Sequence, residues 1–269
     1  RSPMQEDEPF ALDGLEKFIL GQALARQDDA RVAEQRLRLG GALALGGFGQ
    51  LQAQTLLSDR RTLHERWQLL AMSAQVLPAQ SLMLAFDGLP TLQAQWADQD
   101  HPMWRQSGDG TQWTQLQWRS GAVMQGTDKK RQPRLDTLPS LWLHHLMACA
   151  SGTPTTSHLL GLDAALSFTP LEACVAQEHL HTLIQAWALA WQSPLLLPRK
   201  TACAWLLASQ TEEATAFDAA HHAFVQEHSE HPGLRRLVRS VEDVLETVTQ
   251  WAPRIYGPML THVTHQGQA

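Results

Sequence analysis

The chain has 269 residues, 43% of them hydrophobic and 18% charged, with ten tryptophans against one tyrosine. That supplies enough apolar side chain for one large core or two small ones, and argues against disorder except at the ends, since disorder needs low hydropathy and high net charge. A net charge of −6, from 21 Lys+Arg against 27 Asp+Glu, excludes a uniformly basic nucleic-acid-binding domain and leaves room only for a local DNA-facing edge.

The first quarter reads as helical. Asp13-Gly14-Leu15-Glu16 has the form of an N-cap with a glutamate three residues on, and Leu12, Leu15, Ile19 and Ala23 follow at helical spacing. A glycine-rich break runs from Gly40 to Gly49. A longer helix is predicted after it, with Leu56, Leu63, Trp67 and Leu70 on one face and Arg60, Arg61 and Glu65 on the other. Pro78 closes it.

Short runs then alternate with glycine and proline. Ser81–Phe86, Thr91–Trp96, Gln112–Trp118 and Ala122–Met124 read as strands of a small sheet. A helix follows from Thr137 to Ala150, with Leu138, Leu141, Trp142, His145 or Leu146, and Cys149 inward, stopped by Ser151-Gly152. Strands His158–Leu162 and Ala165–Phe168 come next, and Thr169-Pro170-Leu171-Glu172 has the form of a capping box with proline at the first helical position. The helix beyond places Leu180, Ile184, Trp187 and Trp191 in one stripe. The C-terminal third is helical again, carrying Phe217, His221 and Phe224, then Leu237, Val241, Val244, Val248 and Trp251. Tryptophans at this spacing are more often core than interface. The order predicts an α/β core in a helical wrapping, read as one domain over residues 1–269.

Three scattered cysteines, Cys149, Cys174 and Cys203, support neither a disulfide framework nor a zinc ribbon and fit a reducing, cytoplasmic setting. No apolar run approaches the roughly 20 residues that span a bilayer. Arg1-Ser2-Pro3-Met4 followed by Glu6, Asp7 and Glu8 is neither a signal peptide nor an obvious natural start, so the chain is read as a fragment of something larger.

Several kinds of chemistry are set aside on residue type and spacing. The Gly40–Gly49 segment lacks the lysine and Ser/Thr of a phosphate loop, and Gln52 stands where a dinucleotide fingerprint needs a third glycine. The thirteen histidines show no HExxH pattern, and there is no GxSxG elbow. Neither a metal nor another cofactor is expected. A metal-dependent nuclease needs a carboxylate at one strand end and [Asp/Glu]-x-Lys on the next, where the acids hold Mg²⁺ and the lysine stabilises charge at the phosphate. Of the four lysines, Lys17, Lys129, Lys130 and Lys200, only Lys130 has an acid two positions before it, Asp128, and the nearest upstream partner is Asp109. Both acids fall in turn-like sequence, which suits rigid metal ligation poorly. The cationic run nearby is the candidate DNA edge: Arg119, Lys129, Lys130, Arg131 and Arg134 stand against Asp128 alone, whereas residues 211–231 carry five acids and no Lys or Arg.

Blocks in order along the chain resemble the RecC family. Glu8-Pro9-Phe10-Ala11-Leu12-Asp13-Gly14-Leu15-Glu16-Lys17-Phe18 is similar to its "EPF-x-LDGLE" segment, and Arg36-Leu37-Arg38-Leu39-Gly40 with Gly47-Phe48-Gly49-Gln50-Leu51 to the segment after it. Leu141-Trp142-Leu143-His144-His145-Leu146 through Cys149-Ala150-Ser151-Gly152 resembles "LWL-x-HL…CASG". Ser193–Pro198 with Ala204-Trp205-Leu206, and Trp251–Leu260, resemble its later blocks. The resemblance implies a PD-(D/E)xK, restriction-endonuclease-like core with a small mixed sheet flanked by many helices, without active-site residues. It also implies assembly with RecB and RecD on DNA ends, in a RecBCD-type helicase–nuclease (exodeoxyribonuclease V). The function expected is therefore a non-catalytic domain that docks a motor subunit and guides separated DNA strands. Two other readings stay open: an active Mg²⁺ nuclease using Asp109, Asp128 and Lys130, and a helical protein-interaction module without DNA contact.

Overall fold

The computed structural model describes residues 12–25, 29–41, 43–44, 46–71, 75–97, 103–105, 113–126, 131–210 and 213–266. Three helices lead: α1 (Gly14–Ala25), α2 (Ala30–Leu39) and α3 (Gly46–Ala71). The α1 start is a reciprocal capping box. The Asp13 N–H donates to Glu16 Oε2 at 3.0 Å and the Glu16 N–H to Asp13 Oδ1 at 2.7 Å, which satisfies two donors that a helix start otherwise leaves free. Its inward face is not the expected one. Leu15 and Ile19 are exposed, whereas Leu24 joins Ala33, Leu37 and Leu56 in a small core, with Leu20 packed against it. The cause is Gly21, where a Cβ would stand 2.6 Å from Ser120 Cβ, so that this side of α1 lies against the rest of the molecule.

The glycine break is shorter than the sequence implied, because Gly46–Gly49 already belong to α3. At Gly49 a Cβ would sit 1.7 Å from the Ala44 carbonyl oxygen, so only glycine fits. Along α3, Leu56 and Leu63 are buried as predicted, with Trp67 and Leu70 packed beside Leu63. Arg60 is a correction. Expected on the solvated face, it is buried, because it lies four residues after Leu56 and three before Leu63, on the same side of the helix.

A six-stranded mixed sheet has the order β1-β4-β5-β8-β9-β10. Its strands are β1 (Gln75–Val76), β4 (Met103–Arg105), β5 (Trp113–Trp118), β8 (Thr155–Leu160), β9 (Ala165–Phe168) and β10 (Val263–Gln266). Every pairing is antiparallel except β5 with β8, which run parallel in the register Trp113↔Thr155 to Trp118↔Leu160. That parallel step is bridged by α4 (Pro139–Ala150), as a parallel pair requires a long crossover. The runs predicted around Leu82 and Ala94 are strands, β2 (Gln80–Leu84) and β3 (Leu92–Trp96), but they pair only with each other. A second hairpin joins β6 (Met124–Gln125) to β7 (Gln132–Pro133).

On one sheet face α3 brings Leu63 and Trp67 against Leu160, Trp118 and Ala165, and the Trp67 ring lies 4.4 Å from that of Trp118 and 4.8 Å from that of Trp104. On the other, α4 buries Leu141, Trp142, His145, Leu146 and Cys149, with Trp142 4.8 Å from Phe168 of β9. Outside α4 lie α5 (Ala173–Gln192), α6 (Arg199–Ser209), α7 (Glu213–Glu230), α8 (Pro232–Leu237), α9 (Glu242–Ile255) and α10 (Gly257–His262). The predicted capping box before α5 does not form. Glu172 is itself the N-cap, makes no capping bond through its side chain, and Pro170 precedes the helix.

The α5 stripe is half right. Leu180 and Ile184 are buried, but Trp187 and Trp191 are 53% and 76% exposed. With 20 residues against 12 in α4, α5 is longer than its packing partner by roughly 12 Å, and its last turns overhang. Trp251 on α9 is buried with Val241, Val244 and Val248, whereas Leu237 is exposed.

Candidate nucleic-acid interface

Parallel strands present their carboxyl ends on one side of a sheet, and ligands of α/β proteins collect there. In this chain that side is the end of β5 and β8. Arg119 is the first residue past β5. Its N–H still donates to the Leu160 carbonyl at 2.8 Å, and its guanidinium lies 4.9 Å above the Phe18 ring of α1. Ser120 ties this point to α1, its N–H donating to Gln22 Oε1 and its hydroxyl to the Phe18 carbonyl. Past β8 the chain turns tightly, the Gly161 N–H donating to the Ala164 carbonyl at 2.9 Å. At Gly161 a Cβ would stand 2.6 Å from Val123 Cγ1, so glycine permits the close approach.

Asp163 in this turn organises the edge. Its carboxylate accepts the Val123 N–H at 2.8 Å, the Met124 N–H at 3.2 Å and Arg131 Nη2 at 2.9 Å. Burial alone would raise its pKa, but these donors prevail and hold it below the usual carboxylate range. Arg66 of α3 donates to the Gly161 carbonyl and, at 3.4 Å, to that of Ala164. Arg134 donates its N–H to the Val123 carbonyl and its Nη2 to Asp136 Oδ2 at 3.2 Å. Arg199 begins α6, which packs against the turn Leu135–Thr137 that follows Arg134. Burial lowers the Arg119 pKa most, the charges of Arg134 and Arg199 lower it further, and Asp136 opposes them.

Three of the five predicted DNA-edge residues, Arg119, Arg131 and Arg134, therefore meet at one end of the sheet. Lys129 and Lys130 lie outside the described residues, as do Asp109 and Asp128 of the nuclease reading. One cation of the edge escaped the sequence reading, Arg66, which no feature of the sequence marks. The edge collects the guanidinium groups of Arg66, Arg119, Arg131 and Arg134 against the carboxylates of Asp136 and Asp163, so two of the predicted charges, on Arg131 and Arg134, are partly balanced where they stand.

Beneath α4 the same two strands carry a different kind of polar group. His145 Nδ1 lies 2.9 Å from Ser157 Oγ, whose hydroxyl donates to Gln115 Oε1 at 3.0 Å, all three residues being buried. The Cys149 Sγ stands 3.8 Å from His145 Nε2. Burial first, and the nearby His262 second, bring the His145 pKa down to about 4, against a raising backbone bond at Thr169. The residues of β4 and β5 include no carboxylate and no lysine, and Gln115 and Gln117 are the long polar side chains of β5. Among the described residues no group of three or more His, Cys, Asp or Glu could hold a metal ion, and no described helix is long and apolar enough to cross a membrane.

A family model described as the RecC C-terminal domain matches residues 1–210. The RecBCD enzyme subunit RecC of Escherichia coli (strain K12) is 31% identical over 237 residues, covering 85% of this chain and 18% of that protein's length.

Proposed function

Because the chain belongs to the RecC C-terminal domain family, we propose that it is a non-catalytic domain of a RecBCD-type helicase–nuclease, which guides separated DNA strands and docks a motor subunit. The observation that carries the DNA half is the cationic end of β5 and β8, where Arg119, Arg131 and Arg134 stand with Arg66. In this reading the strand's phosphates run past those groups. Phosphate neutralisation of this kind gives affinity without sequence preference.

The fold supports a restriction-endonuclease-like ancestry: a β4–β5 antiparallel pair, a helical crossover through α4, and β8 parallel to β5. In that arrangement the acid-x-lysine triplet belongs on β5. Gln115-Leu116-Gln117 stands there instead, and Gln115 is spent on Ser157. A neutral hydrogen-bonded interior of this type has no negative charge with which to draw in a divalent ion. Docking is supported by a groove of about 520 Å³ whose walls include Trp142, Leu143, Leu180, Leu183, Trp187 and Met259, with exposed Trp191 one turn beyond Trp187. An open apolar patch of this kind marks a protein contact, and RecB or RecD is the partner the family implies. The setting is that of a cytoplasmic DNA-repair complex.

The test is a pair of measurements on the full subunit. Incubated with Mg²⁺ or Mn²⁺ it should leave linear DNA uncut, and it should bind a forked duplex with an affinity that falls steeply with salt. Cleavage abolished by Lys130→Ala would replace this reading with the nuclease that uses Asp109, Asp128 and Lys130. Salt-insensitive or absent binding would leave only a protein-interaction module.

A further inference from the structure

The cationic edge has an aromatic neighbour. Where α3 lies on the sheet, Leu63 and Leu160 are buried, but one turn further along the helix Trp67 is only half-buried. So are the two rings it meets, Trp104 of β4 and Trp118 of β5. The Trp67 ring lies 4.4 Å from that of Trp118, tilted by 41°, and 4.8 Å from that of Trp104, edge-on at 89°. Three indole rings thus touch one another at the place where the buried layer ends.

Contacts tie these rings to the edge. Trp67, Trp118, Leu162 and Ala165 all pack on the same two buried leucines, and Leu162 and Ala165 stand on either side of Asp163 in the turn from β8 to β9. That turn holds Arg131 through Asp163 at 2.9 Å, and its Gly161 and Ala164 carbonyls accept from Arg66. Arg66 directly precedes Trp67 and Arg119 directly follows Trp118. The Arg119 guanidinium lies over Phe18 of α1, the helix that packs on α3. Rings and guanidinium groups therefore share one corner of the molecule.

An indole ring has no charge to offer a phosphate. What it offers is a flat apolar face for another flat ring. Nucleic-acid bases have such faces and present them when unpaired, since in a duplex each is covered by the next base pair. An aliphatic protein segment would also cover tryptophan, but it has no use for the arginines alongside.

We propose that Trp67, Trp104 and Trp118 form a stacking platform for an unpaired base of single-stranded DNA whose backbone runs along the arginine edge. The inference rests on the strand-guiding reading above and adds to it a second kind of contact. Phosphates occur in duplex and single strand alike, so the edge alone does not tell them apart. The platform does, because it engages a base only after the strands have separated. Every base has a π face, so the contact carries no sequence preference.

The experiment compares two single strands of equal length on the full subunit over a range of salt, one bearing its bases and one abasic throughout. The parent should bind the base-bearing strand about tenfold more tightly. Trp67→Leu should remove most of that preference and leave the affinity for the abasic strand as it was, which also shows that the variant is folded. Trp67→Phe keeps a ring and should keep most of the preference. Should Trp67→Leu lower the melting temperature, Trp104→Leu, at the margin of the cluster, carries the same comparison. No tryptophan variant should alter the slope against log salt, because no charge is lost. Arg134→Gln should instead weaken both strands and lower that slope by about 0.7. If the parent binds both strands alike, or the folded tryptophan variants keep its preference, the platform is wrong and the guiding role stands. If the parent binds neither strand, both fall. If Trp67→Leu keeps the preference but no longer assembles with the motor subunits, the rings serve a protein contact and the assignment to bases is overturned.

Discussion

The interior beneath α4 and the edge at the end of β5 and β8 are built on the same two strands, yet they handle polar groups in opposite ways. Inside, Gln115, Ser157 and His145 satisfy one another without charge, and burial keeps His145 neutral down to about pH 4. At the edge Arg66, Arg131, Arg134, Asp136 and Asp163 are charged, and backbone amides and carbonyls do much of the positioning, as at Asp163 and Arg66. A neutral network specifies a structure and has nothing to offer an ion or a phosphate. A charged edge with more cations than carboxylates is incomplete without an anion. Under the function proposed above, such a fold keeps the architecture of a metal nuclease and meets DNA at its rim instead of at a buried centre.

The largest expected effect breaks the interior. Trp142 is 2% exposed and lies against Phe168, His145, His179 and His262, so Trp142→Ala should cost about 3–5 kcal/mol in urea unfolding through the cavity it leaves. Acid should act next, and on the interior before the edge. His145 has its pKa lowered to about 4, and so has His158, which bonds Ser167 Oγ at 2.7 Å on the opposite sheet face. In both the folded value lies below the unfolded one of about 6.5. Their contribution is thus complete above that value and is lost as pH falls from about 6.5 towards 4, where unfolding should take up about two protons. Denaturant midpoints between pH 7 and 4 measure this, and His158→Gln should remove about half the slope. A flat profile would mean that the interior admits charge and water.

How much of this was legible in the sequence depends on whether a neighbour or a distant partner decides the outcome. The Asp13–Glu16 box, the inward stripe of α4 and the strand Ala165–Phe168 are local, and each stands where periodicity and capping chemistry put it. The two-residue β1 and three-residue β4 are strands only because they pair with each other and with β5, and β10 only because it reaches β9 from nearly 100 residues away. Which side of α1 is buried was settled by Ser120, and the exposure of Trp187 and Trp191 by the shortness of α4. Periodicity finds an apolar face, but it does not say whether anything covers it. The candidate edge was half legible for the same reason. Arg119, Arg131 and Arg134 share one stretch of chain, whereas Arg66 and the balancing Asp163 arrive through tertiary contacts.

The smallest effects belong to the edge, and they sharpen the contrast by separating charge from scaffold. Asp163→Asn retains one acceptor oxygen but loses the charge and leaves Val123 and Met124 amides underserved, so it should cost about 1–3 kcal/mol. Arg131→Gln removes only the ion-pair partner, whose side chain is 39% exposed, and should cost under about 1 kcal/mol. The pair of variants, with the double variant closing the cycle, measures how much of Asp163 is spent on backbone rather than on arginine. Its pKa is held below the ordinary value, so its share of stability is present at neutral pH and is lost only as pH falls through the carboxylate range, after the histidines have titrated. If Arg131→Gln cost as much as Asp163→Asn, the ion pair and not the amide pair would hold the turn. Arg131 would then be structural, and of the predicted cations described at the edge only Arg119 and Arg134 would be left for the proposed DNA contact.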